Sequence, residues 1–299
     1  MMPVQQRPFL ALGLRLAAAL GLSSLYMLVK LVHQHGVSLA EIVFWRQAGA
    51  LPLILLWLIA TRQTGQLKTK RLKSHATRSA MGMLGMLANF GATILLPLAV
   101  ATILGFTTPL FGVILSAIVL KEHIGPWRWL AVALGFAGVL VIARPGAMPV
   151  APLGALVGLA SGFMVAVVAI QLRDMGRTET PLSVVFWFSL FGTVAMLPSV
   201  PFTYTPHTPL VWAGILGMGL VGTLAQVLLT ASLRYGPVST VVVMDYSSLL
   251  WTTLYGWLIF DQMPPDSTWW GMPLVVAAGL IITWREHVRH REMRREQIA

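Results

Sequence analysis

The chain is a succession of apolar runs about twenty residues long, separated by breaks only a few residues wide. A run of that length is what an α-helix needs to cross the roughly 30 Å hydrocarbon layer of a bilayer. Inside hydrocarbon every backbone N–H and C=O must be satisfied without water, so repeated continuous runs fold as a bundle of spanning helices. A soluble globule fails on charge. Of 299 residues, 57% are hydrophobic and only 10% are Asp, Glu, Lys or Arg, against about 25% charged in a typical soluble domain.

The runs place spans near 9–32, 39–60, 77–97, 101–120, 128–143, 153–172, 181–200, 209–232, 238–259 and 268–284. Pro, Gly and charge mark the breaks. Between the third and fourth spans the only break is Pro97 to Ala101. The first run is too long for the core of a cleavable signal peptide and reads as the first span of the mature protein.

Orientation follows from Lys and Arg. With the N-terminus inside, Arg7, Arg15, the cluster from Arg62 to Arg78, Lys121, Arg128, Arg173, Arg177, Arg234 and the tail from Arg285 to Arg295 fall on the inner side. Only Lys30 and Arg144 fall outside, with Arg46 left within a span. This asymmetry predicts an even number of spans in the inner membrane, with both termini cytoplasmic. The net charge of +11 therefore reads as a topology signal and as contact with anionic lipid head groups. No nucleic-acid partner is expected, because the basic loop and tail lack aromatic or base-edge readers.

The halves resemble one another at an offset near 140 residues. Gly21-Leu22-Ser23-Ser24-Leu25-Tyr26-Met27 parallels Gly158-Leu159-Ala160-Ser161-Gly162-Phe163-Met164, and Val43-Phe44-Trp45 parallels Val185-Phe186-Trp187. Ala88-Asn89 parallels Ala225-Gln226, Leu120-Lys121-Glu122 parallels Phe260-Asp261-Gln262, and Gly138 through Arg144 parallels Gly279 through Arg285. Five spans per half is odd, so the second half must enter the membrane from the opposite side. The expected fold is an all-α polytopic membrane protein of ten helices: two inverted five-helix repeats, residues 1–150 and 151–299, around a central cavity. Inverted repeats are associated with alternating access to a site at their interface. The small faces Gly13, Ala17, Gly21 and Gly154, Gly158, Gly162 fit close helix packing. A single continuous basket implies that a monomer suffices.

Enzyme readings find little support. There is no cysteine, which excludes disulfides and thiolate chemistry. His33-x-His35 lacks a third ligand, no HExxH, Walker loop or carboxylate dyad occurs, and all seven His sit near span ends or in the tail. No catalytic residue, metal or cofactor is expected.

The order Phe44-Trp45-Arg46, Thr108-Pro109-Leu110-Phe111, Leu120-Lys121-Glu122-His123 and Gly135-Phe136-Ala137-Gly138-Val139 resembles the drug/metabolite transporter superfamily, specifically its EamA-type ten-span exporters. The second half departs from the pattern, with Asp261 for Glu and Ser248 where Pro109 stands. The resemblance implies a ten-helix basket exporting amino acids or similar metabolites, aromatic and neutral amino acids above all. A multidrug exporter of cationic lipophiles, using Asp245 as counter-charge, is the rival within the class. An intramembrane enzyme or lipid-handling protein is the rival from outside it.

Ionisable residues inside hydrocarbon usually face a cavity or a partner. Arg46 either pairs with Glu41 or Lys30 near the outer end or holds a substrate carboxylate. Asp245 is either structural or handles a substrate ammonium or a coupling proton. Asn89 and Gln226, equivalent in the two halves, either bond between helices or orient a zwitterion. Asp245, Ser248, Thr252 and Tyr255 share one face of span nine, matched by Thr108 in span four. Ser24, Trp187 and Trp251 complete the candidate substrate site: Ser24, Arg46, Asn89, Thr108, Trp187, Gln226, Asp245, Ser248 and Trp251.

Overall fold

A computed structural model describes residues 8–119, 121, 124–142, 152–175, 178–235 and 242–296, and every regular element among them is helical. The first half contains α1 (Pro8–Gln34), α2 (Leu39–Ala60), α3 (Leu72–Leu95), α4 (Leu98–Gly105), α5 (Thr108–Ile118) and α6 (Pro126–Ile142). The second contains α7 (Pro152–Met175), α8 (Pro181–Met196), the single turn α9 (Val200–Thr203), α10 (Pro209–Tyr235), α11 (Ser248–Phe260) and α12 (Asp266–Glu296). A 3₁₀ stretch, Val242–Ser247, leads into α11. The repeat boundary at 150, the start of span nine at 238, Glu122 and Arg144 lie outside the described residues.

Seven stretches among the described residues are long and apolar enough to cross a membrane: Phe9–Gln34, Leu39–Ala60, Leu98–Ile118, Pro152–Leu172, Pro181–Thr203, Pro209–Leu229 and Asp266–Arg285. α6 is apolar but shorter, at 17 residues. α3 begins five residues before the expected span, at Leu72, and its first two turns carry Lys73, His75 and Arg78, which dilute its apolar character. α12 runs on to Glu296, so the basic segment expected as a tail continues the last helix. Large apolar side chains such as Leu56, Trp57, Leu140, Leu156, Leu216 and Trp270 face outward, a surface made for lipid rather than water.

Local signals account for the ends. Ser38 caps α2, its Oγ accepting from the Glu41 amide at 3.2 Å. Thr180 caps α8 in the same way through Ser183. Pro97, with φ −54° and ψ 140°, turns the chain between α3 and α4.

The fourth span is not the continuous helix expected over 101–120. It is divided at Phe106–Thr107 into α4 and α5. Both residues stay near helical dihedrals, so the interruption traces to Pro109, which has no amide to donate and whose ring crowds the carbonyl four residues back. The freed carbonyls are taken locally: Thr107 Oγ1 donates to Leu104 O at 2.6 Å and Thr108 Oγ1 to Gly105 O at 2.8 Å. At the matching place in the ninth span the described residues also depart from α geometry, with a 3₁₀ stretch, Val242–Ser247, before α11 begins. The two interruptions meet, Phe106 lying edge-on to Tyr246 with ring centroids 4.8 Å apart.

Helix packing follows an exchange between halves. α1 packs along α10 while α3 packs along α7; α2 meets α10 while α3 meets α8. α6 pairs with α12, α4 with α11 and α2 with α8. Exchanging α1 with α7, α2 with α8, α3 with α10, α4–α5 with the 3₁₀–α11 unit and α6 with α12 returns the same set of pairs. The small faces of α1 and α7 serve different neighbours. Gly21 backs onto Ala225 of α10, whereas Gly154 and Gly158 seat Leu96 and Leu104.

Candidate functional site

The two helix interruptions open onto a cavity of about 340 Å³. α1 contributes Leu22 and Tyr26, α3 contributes Asn89 and Thr93, and α7 contributes Ser161 and Val165. Phe106, Thr108 and Pro109 come from the first interruption, Asp245, Tyr246 and Ser248 from the second. Both halves therefore supply wall.

Asp245 is the acid in that wall, and it is not alone. Arg15 of α1 grips it in a two-pronged pair, Nε to Oδ1 at 2.6 Å and Nη2 to Oδ2 at 2.5 Å. The Arg15 side chain is 7% exposed and that of Asp245 33%, so the arginine stands behind and the carboxylate faces the cavity. Arg15 was counted among the inner-side topology charges from sequence. Its actual role was signalled only by its depth, seven residues into the first helix.

Asn89 donates through Nδ2 to Ser161 Oγ at 3.2 Å, while its Oδ1 is buried without a hydrogen-bond partner. Asn89 and the Asp245 carboxylate line the same cavity, an arrangement that can receive an ammonium or amide donor. Thr108, the first residue of α5, also lines the cavity, where a helix N-terminus carries partial positive charge. Ser248 Oγ turns back to its own chain, donating to Asp245 O at 2.7 Å.

Of the nine candidates, the structure brings Asn89, Thr108, Asp245 and Ser248 together at the cavity. The other five stand elsewhere. Ser24 bonds the Tyr255 hydroxyl at 2.9 Å and Leu20 O. Arg46 Nη1 donates to Gln47 Oε1 at 2.6 Å. Neither expected partner of Arg46 is beside it: Glu41 pairs with His207, and Lys30 Nζ donates to Leu96 O at 2.5 Å. Trp187 Nε1 donates to Leu67 O, Trp251 Nε1 is buried away from the described lining, and Gln226 lies on α10 off that lining. From sequence, Ser161 stands out only within the repeated motif, Arg15 only as a topology charge, and Tyr246 not at all.

Two buried carboxylate–histidine clasps lie outside the cavity. Glu41 Oε1, in the first turn of α2, sits 2.8 Å from Nε2 of His207, just before α10. Trp45 Nε1 also donates to it at 3.2 Å. Glu179 Oε2, just before α8, sits 3.1 Å from Nε2 of His75, in the first turn of α3. The Trp187 ring lies beside that histidine. The same exchange of helices maps one clasp onto the other, and Trp45 and Trp187 belong to the repeated Val-Phe-Trp motif. Burial pushes the Glu179 carboxyl up, but hydrogen bonds from His75, Thr69 and Ser183, with the charge of His75, outweigh it and hold it below the usual range.

Comparison with known proteins places this geometry. The EamA-like transporter family matches the chain twice, over residues 9–144 and 152–284. The pseudopaline exporter CntI of Pseudomonas aeruginosa is 29% identical over 248 residues, covering 82% of this chain and 86% of that protein. A riboflavin transporter of Vibrio cholerae is 27% identical over 262 residues, covering 87% and 88%. An S-adenosylmethionine uptake transporter of Rickettsia bellii is 25% identical over 235 residues, covering 78% and 80%. A solved crystal structure superposes with a TM-score of 0.58 at 20% identity, over 92% of this chain and 96% of the other, a likeness of fold.

Proposed function

The chain belongs to the EamA-like transporter family, and we propose that it exports neutral amino acids, aromatic ones included, or similar small metabolites by alternating access. Like its family and relatives, it is a multi-pass membrane transporter of a small molecule and not an enzyme. Those relatives move different compounds, so the choice of cargo rests on the cavity.

The observation that carries the reading is the Arg15–Asp245 pair. It leaves the cavity acid fixed and electrically balanced, which suits a zwitterion better than a lipophilic cation seeking a bare counter-charge. In this reading the cargo ammonium lies against the open side of Asp245, with Asn89 on the same wall. Its carboxylate faces the N-terminus of α5 at Thr108, as anionic groups do at the half-helices of other carriers, and its side chain rests on Leu22, Phe106 and Val165. Ser248 shapes the wall. Ser24, Arg46, Trp187, Gln226 and Trp251 take no part in this conformation. A volume near 340 Å³ falls at the lower end of the roughly 300–1,000 Å³ typical of small-molecule pockets.

The halves 1–150 and 151–299 act as inverted five-helix repeats of a ten-span carrier, a reading supported by the exchange of packing partners. The distribution of Lys and Arg supports an inner-membrane location with both termini cytoplasmic, and a monomer suffices. The test is competition in proteoliposomes. Exchange of labelled phenylalanine should be displaced by leucine and methionine and left intact by benzyltrimethylammonium; the reverse order would favour the multidrug reading.

A further inference from the structure

A second polar cluster, between α2, α3, α8 and α10, carries two cations and, among the described residues, no acid. Arg46 is 8% exposed and Gln47 fully buried. Gln47 links the two sides of the site: its Oε1 accepts from Arg46, and its Nε2 donates to Phe188 O at 3.3 Å. On the far side of Phe188, the Arg78 guanidinium lies over the aromatic ring, 4.0 Å from its centroid. Nε and Nη1 of Arg78 are buried with no hydrogen-bond partner.

No acid answers these two charges among the described residues. Asp245 is held by Arg15, Glu41 by His207, Glu179 by His75 and Asp174 by Arg71. An arginine cannot shed its proton to relieve burial, and an unpaired buried charge is strongly unfavourable. Two further donors lie on the same helices, α3 and α8. Ser79 and Ser189, each three residues before a glycine on the same helical face, keep buried hydroxyls without partners. Glycines let these side chains pack close: a Cβ at Gly82 would lie 3.0 Å from Arg78 Nη1, and one at Gly192 would run into the Gln47 amide.

We propose that Arg46 and Arg78, with Ser79 and Ser189, form an anion site that takes a carboxylate or phosphate oxyanion as the missing counter-charge. Arg46 lies within electrostatic reach of Tyr26 on the cavity wall, so the site adjoins the cavity, but it uses neither Asn89 nor Asp245 and does not rest on the cargo assigned there. The oxyanion comes either from a soluble molecule of metabolite size or from a lipid head group.

The test uses the full-length protein, purified in detergent, with thermal unfolding followed at constant ionic strength. Inorganic phosphate and N-acetylphenylalanine should raise the Tm saturably, and phenylalaninamide, which lacks the carboxylate, should not. In Arg46→Gln and Arg78→Gln the anion response should be lost, while Arg78→Lys retains part of it. Without ligand, Arg78→Gln should unfold no earlier than wild type, since it removes an uncompensated charge. A response seen only in phosphatidylglycerol nanodiscs, absent in phosphatidylcholine and lost in the same variants, supports the site and assigns it to a head group. An anion response equal in wild type and the Arg46→Gln/Arg78→Gln variant, no response to any probe, or early unfolding of unliganded Arg78→Gln would overturn the proposal.

Discussion

Arg15 and Asp245, 230 positions apart in sequence, are joined by two parallel hydrogen bonds of 2.6 and 2.5 Å that tie the first helix to the interruption of the ninth span. Breaking such a pair from one side leaves the other charge stranded, at a cost of about 3–5 kcal/mol when fully buried. Asp245 is a third exposed, so Arg15→Gln should cost about 3 kcal/mol, the lower end of that range. The Arg15→Gln/Asp245→Asn variant should recover most of it. Unfolding free energies in mixed micelles read the difference, and additive losses in the double variant would show that the pair contributes no coupling.

Pro109 separates α4 from α5, and the cavity depends on that break. Pro109→Ala restores an amide opposite the Gly105 carbonyl and should let the two helices merge, since Phe106 and Thr107 are already near helical. Exchange activity should fall by about tenfold, equivalent to roughly 1.4 kcal/mol of barrier. Hydrogen exchange around Phe106 to Leu110 should slow. Undiminished transport would remove the interruption from the mechanism.

Gly138 and Gly271 let α6 and α12 touch backbone to backbone: a Cβ on Gly138 would lie 2.8 Å from Gly271 O and 2.9 Å from Leu274 Cβ. Gly138→Ala should destabilise the protein by about 1–3 kcal/mol, the usual range for overpacking, without changing substrate preference. Thermal unfolding and the competition series measure the two effects separately.

The Glu179–His75 clasp gives stability a pH dependence of known sign. Because the folded-state pKa of Glu179 is lowered, its contribution is complete above the ordinary glutamate value of about 4.3 and is lost as pH falls through the lowered folded value. Glu179→Gln should flatten that acid limb and leave stability at neutral pH less dependent on His75. A Tm profile between neutrality and acid that is identical in wild type and variant would contradict the assignment.

Since one clasp maps onto the other under exchange of the repeats, alternating access predicts opposite effects. In the proposed orientation Glu41–His207 closes the outer end and Glu179–His75 the inner. The chain has no cysteine, so single cysteines placed along α1 report access cleanly. Glu41→Gln should speed labelling from outside, and Glu179→Gln labelling from inside. Both variants favouring the same side would argue against a gating role for the pair.

Much of the fold can be read directly from the residues. Leu39–Ala60 is bounded as the apolar run is, because Ser38 supplies the cap that ends it, and Pro97 marks the turn into α4. The break in the fourth span was hidden. Pro109 looks tolerable in an apolar run, and only the side-chain bonds of Thr107 and Thr108 show how the backbone is satisfied. Asn89 and Asp245 stood out as polar groups deep within apolar runs, and both reach the cavity wall. Ser24 and Ser161 occupy equivalent positions in the repeat, yet one meets Tyr255 and the other Asn89. Which face of a helix looks inward is decided by neighbours that periodicity alone does not name. Arg15 and Arg78 were concealed for a different reason: a charge near a span end reads as a topology signal, and only burial and a partner, or the lack of one, distinguish it.

The proposed carrier holds its cargo between the break at Pro109 and the 3₁₀ stretch Val242–Ser247. Counterflow in proteoliposomes tests it most directly: vesicles preloaded with unlabelled amino acids, and uptake of labelled Phe, Trp, Leu, Met and Thr in wild type, Asn89→Leu and Asp245→Asn. Wild type should show saturable exchange, and both variants losses of about tenfold or more, with Asn89→Leu still folded. Exchange that survives both substitutions, or no exchange of any amino acid by protein of intact Tm, would contradict it.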